Sequence, residues 1–509
     1  MQFAKILAAQ RPTEIAIRDP ASALSWSELD DTLNRCANAL SQMDLGESRR
    51  IAVFAENAVE TALANLGGLI AGASVVPVNF HLMAEEVAYI LNDSEAQVLF
   101  VGPETIERGI EAAALSGVHT VVAWECLDDP GSTINWKVWL QNASGDEPDM
   151  SIAPLPNLLY TSGTTGRPKG TNLPPTMFAG GDNIEEHLEA LKQAATTKGP
   201  MLVAGPLYHT GPLTGARFLV GGVPAVVLTK FDAEKTLQAI EQYKITTSIM
   251  VPTHFVRLLA LPKQVREKYD VSSIEMISHT GAKCPVDVKR AMIEWWGLKF
   301  LDAYGASEVG TTCMIMADEW LTHQGSVGKA LPPFTAMILD DDNNEVAPNT
   351  EGKLYFKDAT GRGVVYNNDP EKSAAAHIAP GVFTLGEVAY MDEEGYVYIT
   401  DRFSNMIVSG GVNIYPAEAE QVLIEHPGVL DIACIGIPHS EMGEELKALV
   451  IPMDADNPAH AEDLIHYCRE NLSHFKCPRS IEFVQDLGRN TMGKINKRKL
   501  KAPYWEEHS

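Results

Sequence analysis

The sequence predicts an α/β protein with a large N-terminal domain of two α/β subdomains plus a small β-barrel, followed by a small α+β C-terminal domain on a hinge. Two series of alternating strand-like and helix-like segments indicate the two subdomains, because such alternation is typical of parallel α/β layers. Between about residues 325 and 400 the helical patterns thin out and Gly, Asp and Asn turns become frequent, which indicates short antiparallel strands. Beyond residue 402 the pattern changes again. We therefore expect an N-terminal domain over residues 1–401 and a mobile C-terminal domain over residues 402–509.

Hydrophobic spacing predicts the elements of the first domain. Ser27 and Asp30 could cap an amphipathic helix, whose apolar face would consist of Leu29, Leu33, Cys36, Ala37 and Leu40. The first series then predicts strands at residues 51–55, 74–78, 97–101 and 119–124, with a helix at 59–70. The second series predicts strands at residues 200–204, 225–228, 248–251 and 276–279.

The later elements are shorter and more mixed. Residues 353–357 and 396–400 alternate apolar and polar side chains, as expected for the strands of a small barrel. In the last hundred residues we expect helices at 417–425 and 461–472 and a strand at 429–436. This change of pattern supports a separate C-terminal domain.

Composition excludes several classes of protein. Acidic residues outnumber basic ones by 67 to 40, for a formal net charge of −27, so a broad surface for nucleic acid or anionic membrane is not expected. If this chain binds phosphate, it must do so at a local site and not through a broad basic surface. The seven cysteines include no Cys-x-x-Cys pair, and we see neither a signal peptide nor a run long enough for a transmembrane segment. A reducing, cytoplasmic location is expected.

The most informative stretch runs from Thr161 to Gly170 and reads Thr-Ser-Gly-Thr-Thr-Gly-Arg-Pro-Lys-Gly. It follows an apolar strand-like run at residues 155–160. Its three glycines allow tight turns that bring backbone N–H groups against an anion, and its hydroxyls and two cations add donors. It is not a Walker loop, since Lys169 precedes the glycine. We interpret it as a polyphosphate-binding loop.

Three further motifs follow in order along the chain: His209 lies in Gly-Pro-Leu-Tyr-His-Thr-Gly, residues 302–308 read Asp-Ala-Tyr-Gly-Ala-Ser-Glu, and Lys494 ends Thr-Met-Gly-Lys. In this order, and from Ser25-Trp26-Ser27-Glu28-Leu29 to Gly493-Lys494, the chain resembles the adenylate-forming superfamily, and within it the acyl-CoA synthetases. The resemblance implies an ATP-dependent carboxylate–CoA ligase that uses ATP, Mg²⁺ and coenzyme A and proceeds through an acyl-adenylate. It also implies a fatty, aromatic or steroid-side-chain acid as substrate, and a possible homodimer.

The resemblance also implies roles for individual residues. Lys494 bridges the substrate carboxylate and the α-phosphate, His209 positions the substrate, and Glu308 coordinates Mg²⁺. Tyr304 stacks on adenine, Ser307 contacts the α-phosphate, and Glu387 and Arg402 approach the ribose. The full set expected to bind ATP or AMP is Thr161, Ser162, Gly163, Thr164, Thr165, Gly166, Lys169, Gly281, Ala282, Asp302, Ala303, Tyr304, Gly305, Ser307, Glu387, Arg402 and Lys494. Ser409, Gly410 and Gly411 are expected at the CoA thiol, and Ser404 at the hinge.

Some positions depart from the family's pattern or admit a second interpretation. Family members usually carry Thr-Gly-Asp where this chain has Leu385-Gly386-Glu387, and a charged residue where it has Ser404. Lys494 could instead be an exposed lysine of a basic tail, and Gly410-Gly411 could be a C-cap before a helix.

Three alternative functions stay open. A peptide-synthetase adenylation domain is the second choice, because such a domain is normally followed by a carrier domain and this chain stops at Ser509. An acyl-AMP ligase could load a free-standing carrier protein. A protein of a different class could bind an adenylate or acyl group without turnover.

Overall fold

The computed structural model describes residues 2–124, 133–161, 168–174, 180–195, 199–282, 284, 286–340, 342–402, 407–414, 416–455, 458–488, 495 and 497–506. Within them the strands form sheets of nine, six, five, five and two strands. Their helices are Gln2–Gln10, Trp26–Ser41, Val59–Ile70, Ala84–Ser94, Ile106–Ser116, Trp136–Gln141, Ile184–Ala194, Thr210–Arg217, Ala233–Tyr243, Pro252–Ala260, Lys263–Arg266, Val286–Trp296, Ala317–Thr322, Pro370–Ala375, Pro416–Ile424, Ala461–Asn471 and Lys497–Glu506, with 3₁₀ turns at Phe218–Gly221 and His474–Lys476.

The first predicted subdomain is a five-stranded parallel sheet. Its strands, in order across the sheet, are Ser74–Val78, Arg50–Phe54, Val98–Val101, Thr120–Ala123 and Ile134–Asn135. The strands Ser74–Val78 and Val98–Val101 are buried along their length, as expected when helices cover both faces of a parallel sheet. Four of these strands and the helix Val59–Ile70 match the predicted positions to within a residue.

The helix Trp26–Ser41 also forms, but the predicted cap was wrong. The Ser25 hydroxyl accepts a hydrogen bond from the Glu28 amide, and the Glu28 carboxylate accepts one from the Ser25 amide, so the capping box begins two residues earlier. The helix starts there because Trp26 is fully buried in the core. The predicted apolar face, Leu29 to Leu40, is buried as expected.

The second subdomain is a nine-stranded mixed sheet. Its strands, in order across the sheet, are Lys329–Ala330, Gly310–Met316, Phe300–Ala306, Met276–His279, Thr247–Met250, Met201–Val203, Ala225–Val227, Ile15–Arg18 and Ala23–Ser25. The five strands from Phe300–Ala306 to Ala225–Val227 run parallel. Their carboxyl ends therefore meet along one edge, where ligands bind in open α/β sheets.

The remaining strands form an antiparallel sheet, a two-stranded hairpin and a C-terminal sheet. The region predicted as a small barrel is a six-stranded antiparallel sheet of His377–Ala379, Val382–Phe383, Gly352–Asp358, Glu387–Met391, Val397–Arg402 and Phe334–Leu339. A hairpin pairs Leu158–Thr161 with Lys169–Asn172. Beyond residue 407, the strands Val412–Ile414, Ile407–Ser409, Gly443–Pro452, Val429–His439 and Ser480–Phe483 form a separate sheet with its own core.

Among the described residues, none of the helices is both long and apolar enough to cross a membrane.

Candidate functional site

The carboxyl edge of the nine-stranded sheet brings together motifs that are far apart in the sequence. His209 follows the strand Met201–Val203, Gly281 and Ala282 follow Met276–His279, and residues 302–308 end the strand Phe300–Ala306. Because these strands are parallel neighbours or next neighbours, their following loops lie side by side. The predicted site residues at these positions share one edge of the sheet.

The loop that carries His209 is held by a buried asparagine. Asn57 donates to the carbonyl oxygens of Gly205 and Leu228, at 2.9 and 3.0 Å, and accepts from the Leu207 amide at 2.8 Å. His209 is the N-cap of the helix Thr210–Arg217, and its ring packs against Tyr208 with 4.3 Å between centroids. Burial lowers the pKa of His209 to about 4. The imidazole is therefore neutral at physiological pH.

A tight hairpin presents Ser307 and Glu308. A Cβ atom on Gly305 would lie 1.9 Å from the carbonyl oxygen of Gly310, so this approach of two strands requires glycine. The Ser307 hydroxyl lies 3.5 Å from that of Thr210, the residue after His209. The phenol of Tyr366 donates to the Glu308 carboxylate at 3.4 Å. The hairpin thus places Ser307 and Glu308 between two other elements of the site.

The residues expected at the nucleoside also lie close together. The Tyr304 hydroxyl donates to Glu387 at 2.8 Å, and the Glu387 carboxylate is buried. Glu387 begins its strand directly opposite Arg402. Tyr304, Glu387 and the backbone of Arg402 therefore occupy one corner, between the nine-stranded and six-stranded sheets.

Asp302 has a partner that sequence reasoning did not find. Lys289, on the helix Val286–Trp296, is 1 % exposed and its ammonium lies 3.0 Å from the Asp302 carboxylate and over the ring of Trp320. His279 Nε2 lies 3.6 Å from the same carboxylate oxygen. Burial lowers the pKa of Lys289, and Asp302 opposes that shift. Ala303 and Gly305 are the neighbouring strand residues, so Asp302 and Tyr304 share one face of the strand.

The polyphosphate loop closes a hairpin. Thr161 pairs with Lys169 at its end, and Ser162, Gly163, Thr164, Thr165 and Gly166 lie outside the described residues. The Lys169 ammonium binds the Asp369 carboxylate at 2.6 Å. That carboxylate also caps the helix Pro370–Ala375 by accepting from the Lys372 amide. Hydrogen bonds to Lys169, and then to the Lys372 amide, lower the pKa of Asp369.

Sequence reasoning missed the segment that surrounds Lys169. The Lys372 ammonium lies 3.8 Å from the centre of the Tyr366 ring, and Tyr366 in turn contacts Glu308. The hairpin reaches this segment because Asn367 donates to the carbonyl of Gly170. A local signal existed: an aspartate before Pro370 is typical of a helix start. Nothing in that signal indicated the contact with Lys169.

The two glycines expected at the CoA thiol form a turn at the same edge. Gly410 and Gly411, with φ of +59° and +81°, connect the strands Ile407–Ser409 and Val412–Ile414, so they are a hairpin turn and the C-cap interpretation was wrong. A Cβ atom on Gly411 would lie 3.1 Å from Val251, and one on Gly281 would lie 3.6 Å from the same side chain. Ser409 is buried beside them.

Lys494, Ser404 and the side chain of Arg402 lie outside the described part of the structure. Their roles stay predictions.

Comparison with known proteins identifies the family. Residues 5–364 match the model of the AMP-binding enzymes, and residues 418–494 match that of the AMP-binding enzyme C-terminal domain. The chain is 31 % identical to the indoleacetate–CoA ligase of Aromatoleum aromaticum, over 96 % of this chain and 94 % of that one. It is 32 % identical to the feruloyl-CoA synthase of an Amycolatopsis species, over 97 % and 96 %.

One enzyme, solved in two different complexes, superposes on this chain to different extents. The o-succinylbenzoate–CoA synthetase of Bacillus subtilis is 25 % identical, with 98 % of this chain and 97 % of that one covered. A double mutant of it bound with the product analogue OSB-NCoA superposes with a TM-score of 0.80. The complex with the acyl-adenylate intermediate OSB-AMP reaches 0.63. The arrangement of this chain thus resembles the product-analogue complex more closely.

The matched models cover most of the chain, and both relatives are similar along nearly their whole length. The chain therefore belongs to the AMP-binding enzyme family and is an ATP-binding acid–thiol ligase of the AMP-forming kind.

Proposed function

We propose that this ligase joins a fatty, aromatic or steroid-side-chain carboxylic acid to coenzyme A through an acyl-adenylate, and that it releases AMP and pyrophosphate. The observation that carries the proposal is the approach of Gly281 and Gly411 to Val251. It brings a side-chain-free turn of the C-terminal sheet to the edge that holds His209, Ser307 and Glu308. A narrow thiol arm could reach an acyl-adenylate there.

In the first half-reaction, a carboxylate oxygen attacks the α-phosphorus of ATP, and the bond to the bridging oxygen of pyrophosphate breaks. Two anions must approach, so catalysis needs charge neutralisation and alignment rather than a protein nucleophile. We assign Lys169 and the loop at residues 161–170 to the phosphates, Ser307 to the α-phosphate, and Lys494 to the charge that shifts between carboxylate and phosphate.

His209 suits positioning better than proton transfer. A base whose pKa is about 4 is a poor proton acceptor at physiological pH. Neither half-reaction needs a base to remove a proton from the substrate acid, because the acid reacts as its carboxylate. The neutral ring can donate one hydrogen bond to a carboxylate oxygen. We therefore assign it to orientation of the acid.

Mg²⁺ would be held by Glu308 together with the nucleotide phosphates. Within the described parts of the chain, no group of three His, Cys, Asp or Glu side chains is arranged to hold a metal ion. The Glu308 carboxylate is partly exposed and accepts a hydrogen bond from Tyr366. A single carboxylate of this kind suits Mg²⁺, which takes its other oxygen ligands from water and substrate phosphates. When bound, the ion would neutralise charge on the departing pyrophosphate.

A cavity of about 500 Å³ supports coenzyme A as the acceptor. It opens beside the glycine turn, and its lining includes Ser409, Met442, Arg469, His474, Phe475 and Arg479. Basic groups gathered at one cavity stand out in a chain with a formal charge of −27. They suit an anionic phosphate group, and the aromatic ring offers a face for a base. In the second half-reaction the thiol sulfur would bond to the acyl carbon, the bond to the AMP oxygen would break, and the thiol proton would pass to solvent.

The domain boundary belongs to the same proposal. The six-stranded sheet ends with Arg402, and the C-terminal sheet begins with Ile407. We place the boundary between residues 401 and 402 and the hinge at Ser404, so that residues 402–509 could rotate between the two half-reactions.

The test is pyrophosphate release from MgATP with a panel of fatty, aromatic and steroid-side-chain acids, with and without coenzyme A. Release that continues to acyl-CoA supports the proposal and identifies the acid. Release that stops at acyl-adenylate despite coenzyme A overturns the acceptor and favours a carrier protein. ATP binding without pyrophosphate release with any acid overturns catalysis and favours a non-catalytic binding protein. Glu387 and Ser404 would then be the residues to replace with those usual in the family.

A further inference from the structure

The C-terminal unit is joined to the N-terminal sheets by a buried charged contact that adjoins the proposed coenzyme A cavity, whose lining includes His474 and Phe475. Glu86, at the start of the helix Ala84–Ser94, accepts hydrogen bonds from the ammonium of Lys476 at 2.8 Å and from the hydroxyl of Ser473. We call these three residues the Glu86 contact. Lys476 and Ser473 are 2 % and 0 % exposed, so this is not a solvated surface pair.

Each side of the Glu86 contact also has a partner within its own unit. The Glu86 carboxylate accepts from the Met83 amide at 3.0 Å, which is part of the start of its own helix. Lys476 is held at 3.0 Å by Glu418, which is 1 % exposed and belongs to the C-terminal unit. If the C-terminal unit rotated away, Lys476 would keep Glu418 as its partner, and Glu86 would keep its place at the helix start. The contact can therefore form and break without leaving a buried charge unpaired.

A second contact lies beside the glycine turn. The Arg257 guanidinium, on the helix Pro252–Ala260, binds the Glu441 carboxylate and lies 3.7 Å from the Met442 sulfur. The Met442 carbonyl accepts from the Gly410 amide at 2.8 Å. This pair is roughly half exposed, so screening by solvent makes it the weaker of the two.

The Glu86 contact accompanies the arrangement that brings Gly411 to Val251. The same arrangement superposes better on the product-analogue complex of the succinylbenzoate synthetase than on its acyl-adenylate complex. A charge pair between the two units stabilises this arrangement over any arrangement in which the pair is broken.

We propose that Glu86 is a positioning residue for acyl transfer: by binding Lys476 and Ser473 it holds the C-terminal unit where Gly411 meets the acyl-adenylate, and it has no part in adenylation. The inference rests on the proposed function, because it needs two separable half-reactions. It adds to that function a residue that is not among the predicted site residues and that affects the rate of one half-reaction alone.

The experiment measures the two half-reactions separately in the full-length protein. Adenylation is followed as single-turnover pyrophosphate release without coenzyme A, and acyl transfer as loss of preformed acyl-adenylate after coenzyme A is mixed in. Glu86→Gln keeps an acceptor for the Met83 amide but loses the charge, and Glu86→Lys repels Lys476. We expect acyl transfer to slow by about tenfold or more in Glu86→Lys and by less in Glu86→Gln, with adenylation unchanged within about twofold.

Two controls separate this role from a loss of folding. Glu85→Lys changes the charge of the exposed neighbouring residue by the same amount, and it should leave both rates unchanged. Ser473→Ala should slow acyl transfer, and its effect should be less than additive with that of Glu86→Gln, because both remove parts of one contact.

The outcomes are distinguishable. If the wild-type protein makes acyl-CoA and Glu86→Lys slows both half-reactions equally or neither, the role of Glu86 is overturned while the proposed function stands. If the wild-type protein makes no acyl-CoA from any acyl-adenylate, the proposed function itself fails.

Discussion

Glu387 carries one methylene more than the aspartate that the family resemblance predicts. The structure shows where the longer side chain reaches: one of its oxygens accepts the hydroxyl of Tyr304 at 2.8 Å. Because Glu387 is buried, its orientation depends on such partners. The departure from aspartate is thus accompanied by a local hydrogen bond, and Tyr304 contributes its hydroxyl as well as its ring to this corner.

Removing that hydroxyl should weaken ATP binding. In Tyr304→Phe the ring remains, but a buried carboxylate loses a donor, so we expect the KM for ATP to rise by about tenfold. Tyr390→Phe, on the strand of Glu387 and stacked on Tyr398, is the matched control and should leave the KM unchanged. An unchanged KM in Tyr304→Phe would show that Glu387 is oriented by other groups.

A second prediction concerns the stability of the buried pair Lys289 and Asp302. Lys289→Met leaves the Asp302 carboxylate without its closest cation, and it should lower the free energy of unfolding by about 3 kcal/mol. Asp302→Asn in the same chain should restore part of that loss, because no uncompensated charge remains. Urea denaturation followed by fluorescence measures both. Equal loss in the single and double variants would contradict a charge-pair origin.

At the scale of elements, hairpin turns deliver the site residues. The hairpin of residues 300–316 carries Ser307 and Glu308, the hairpin of residues 158–172 carries the ends of the polyphosphate loop, and the hairpin of residues 407–414 carries Gly410 and Gly411. In the first and third of these hairpins the paired strands hold the turn on both sides, so Ser307, Glu308, Gly410 and Gly411 are placed with little freedom.

Gly411→Ala tests whether the last of these turns serves acyl transfer. Alanine adds a Cβ 3.1 Å from Val251 at a φ of +81°, so it should strain the turn and narrow the approach for a thiol. We expect acyl transfer from preformed acyl-adenylate to slow by about tenfold or more, while adenylation without coenzyme A stays within about threefold.

Gly395→Ala is the matched control, because its φ of +87° is similar and a Cβ there would meet nothing within 4 Å. Equal effects of the two substitutions on acyl transfer would mean that backbone strain alone, and not the position beside Val251, explains the result for Gly411→Ala.

At the scale of the whole molecule, several histidines are buried as neutral groups. Burial lowers the pKa of His187, His209 and His279 to about 4, and that of His254 to about 3. In the unfolded chain each would titrate near 6.5. The folded chain therefore binds fewer protons than the unfolded chain between these values, and its stability falls as pH falls from about 7 towards 4.

The slope of stability against pH measures this effect. Four protons bound only by the unfolded chain correspond to about 5.5 kcal/mol per pH unit at the steepest part. Urea denaturation between pH 7.5 and 5 should show most of that slope, and His187→Gln should reduce it by about one proton. A slope unaltered by that substitution would mean that His187 titrates alike in both states.

Local patterns sufficed for much of the fold. The strand Met276–His279 and the helix Val59–Ile70 begin and end where hydrophobic spacing predicted, and the C-terminal elements differ from prediction by one to three residues. Spacing, turn residues and glycines act over a few neighbouring residues, so a single sequence carries them directly. Even the helix whose cap was misplaced has the apolar face that its periodicity predicted.

The order of the motifs, and with it the family, can be predicted from the amino-acid sequence alone, whereas the side chains that meet across the molecule are known only from how the elements pack. Lys169 binds an aspartate 200 residues away, and Lys476 binds a glutamate 390 residues away. The sequence around Lys289 is that of an ordinary lysine on an amphipathic helix, and its burial follows from packing against Trp320 and Asp302. The physical reason is that such pairs depend on how whole sheets and helices stack, and the local periodicity that defines each element contains no information about the neighbour it will face.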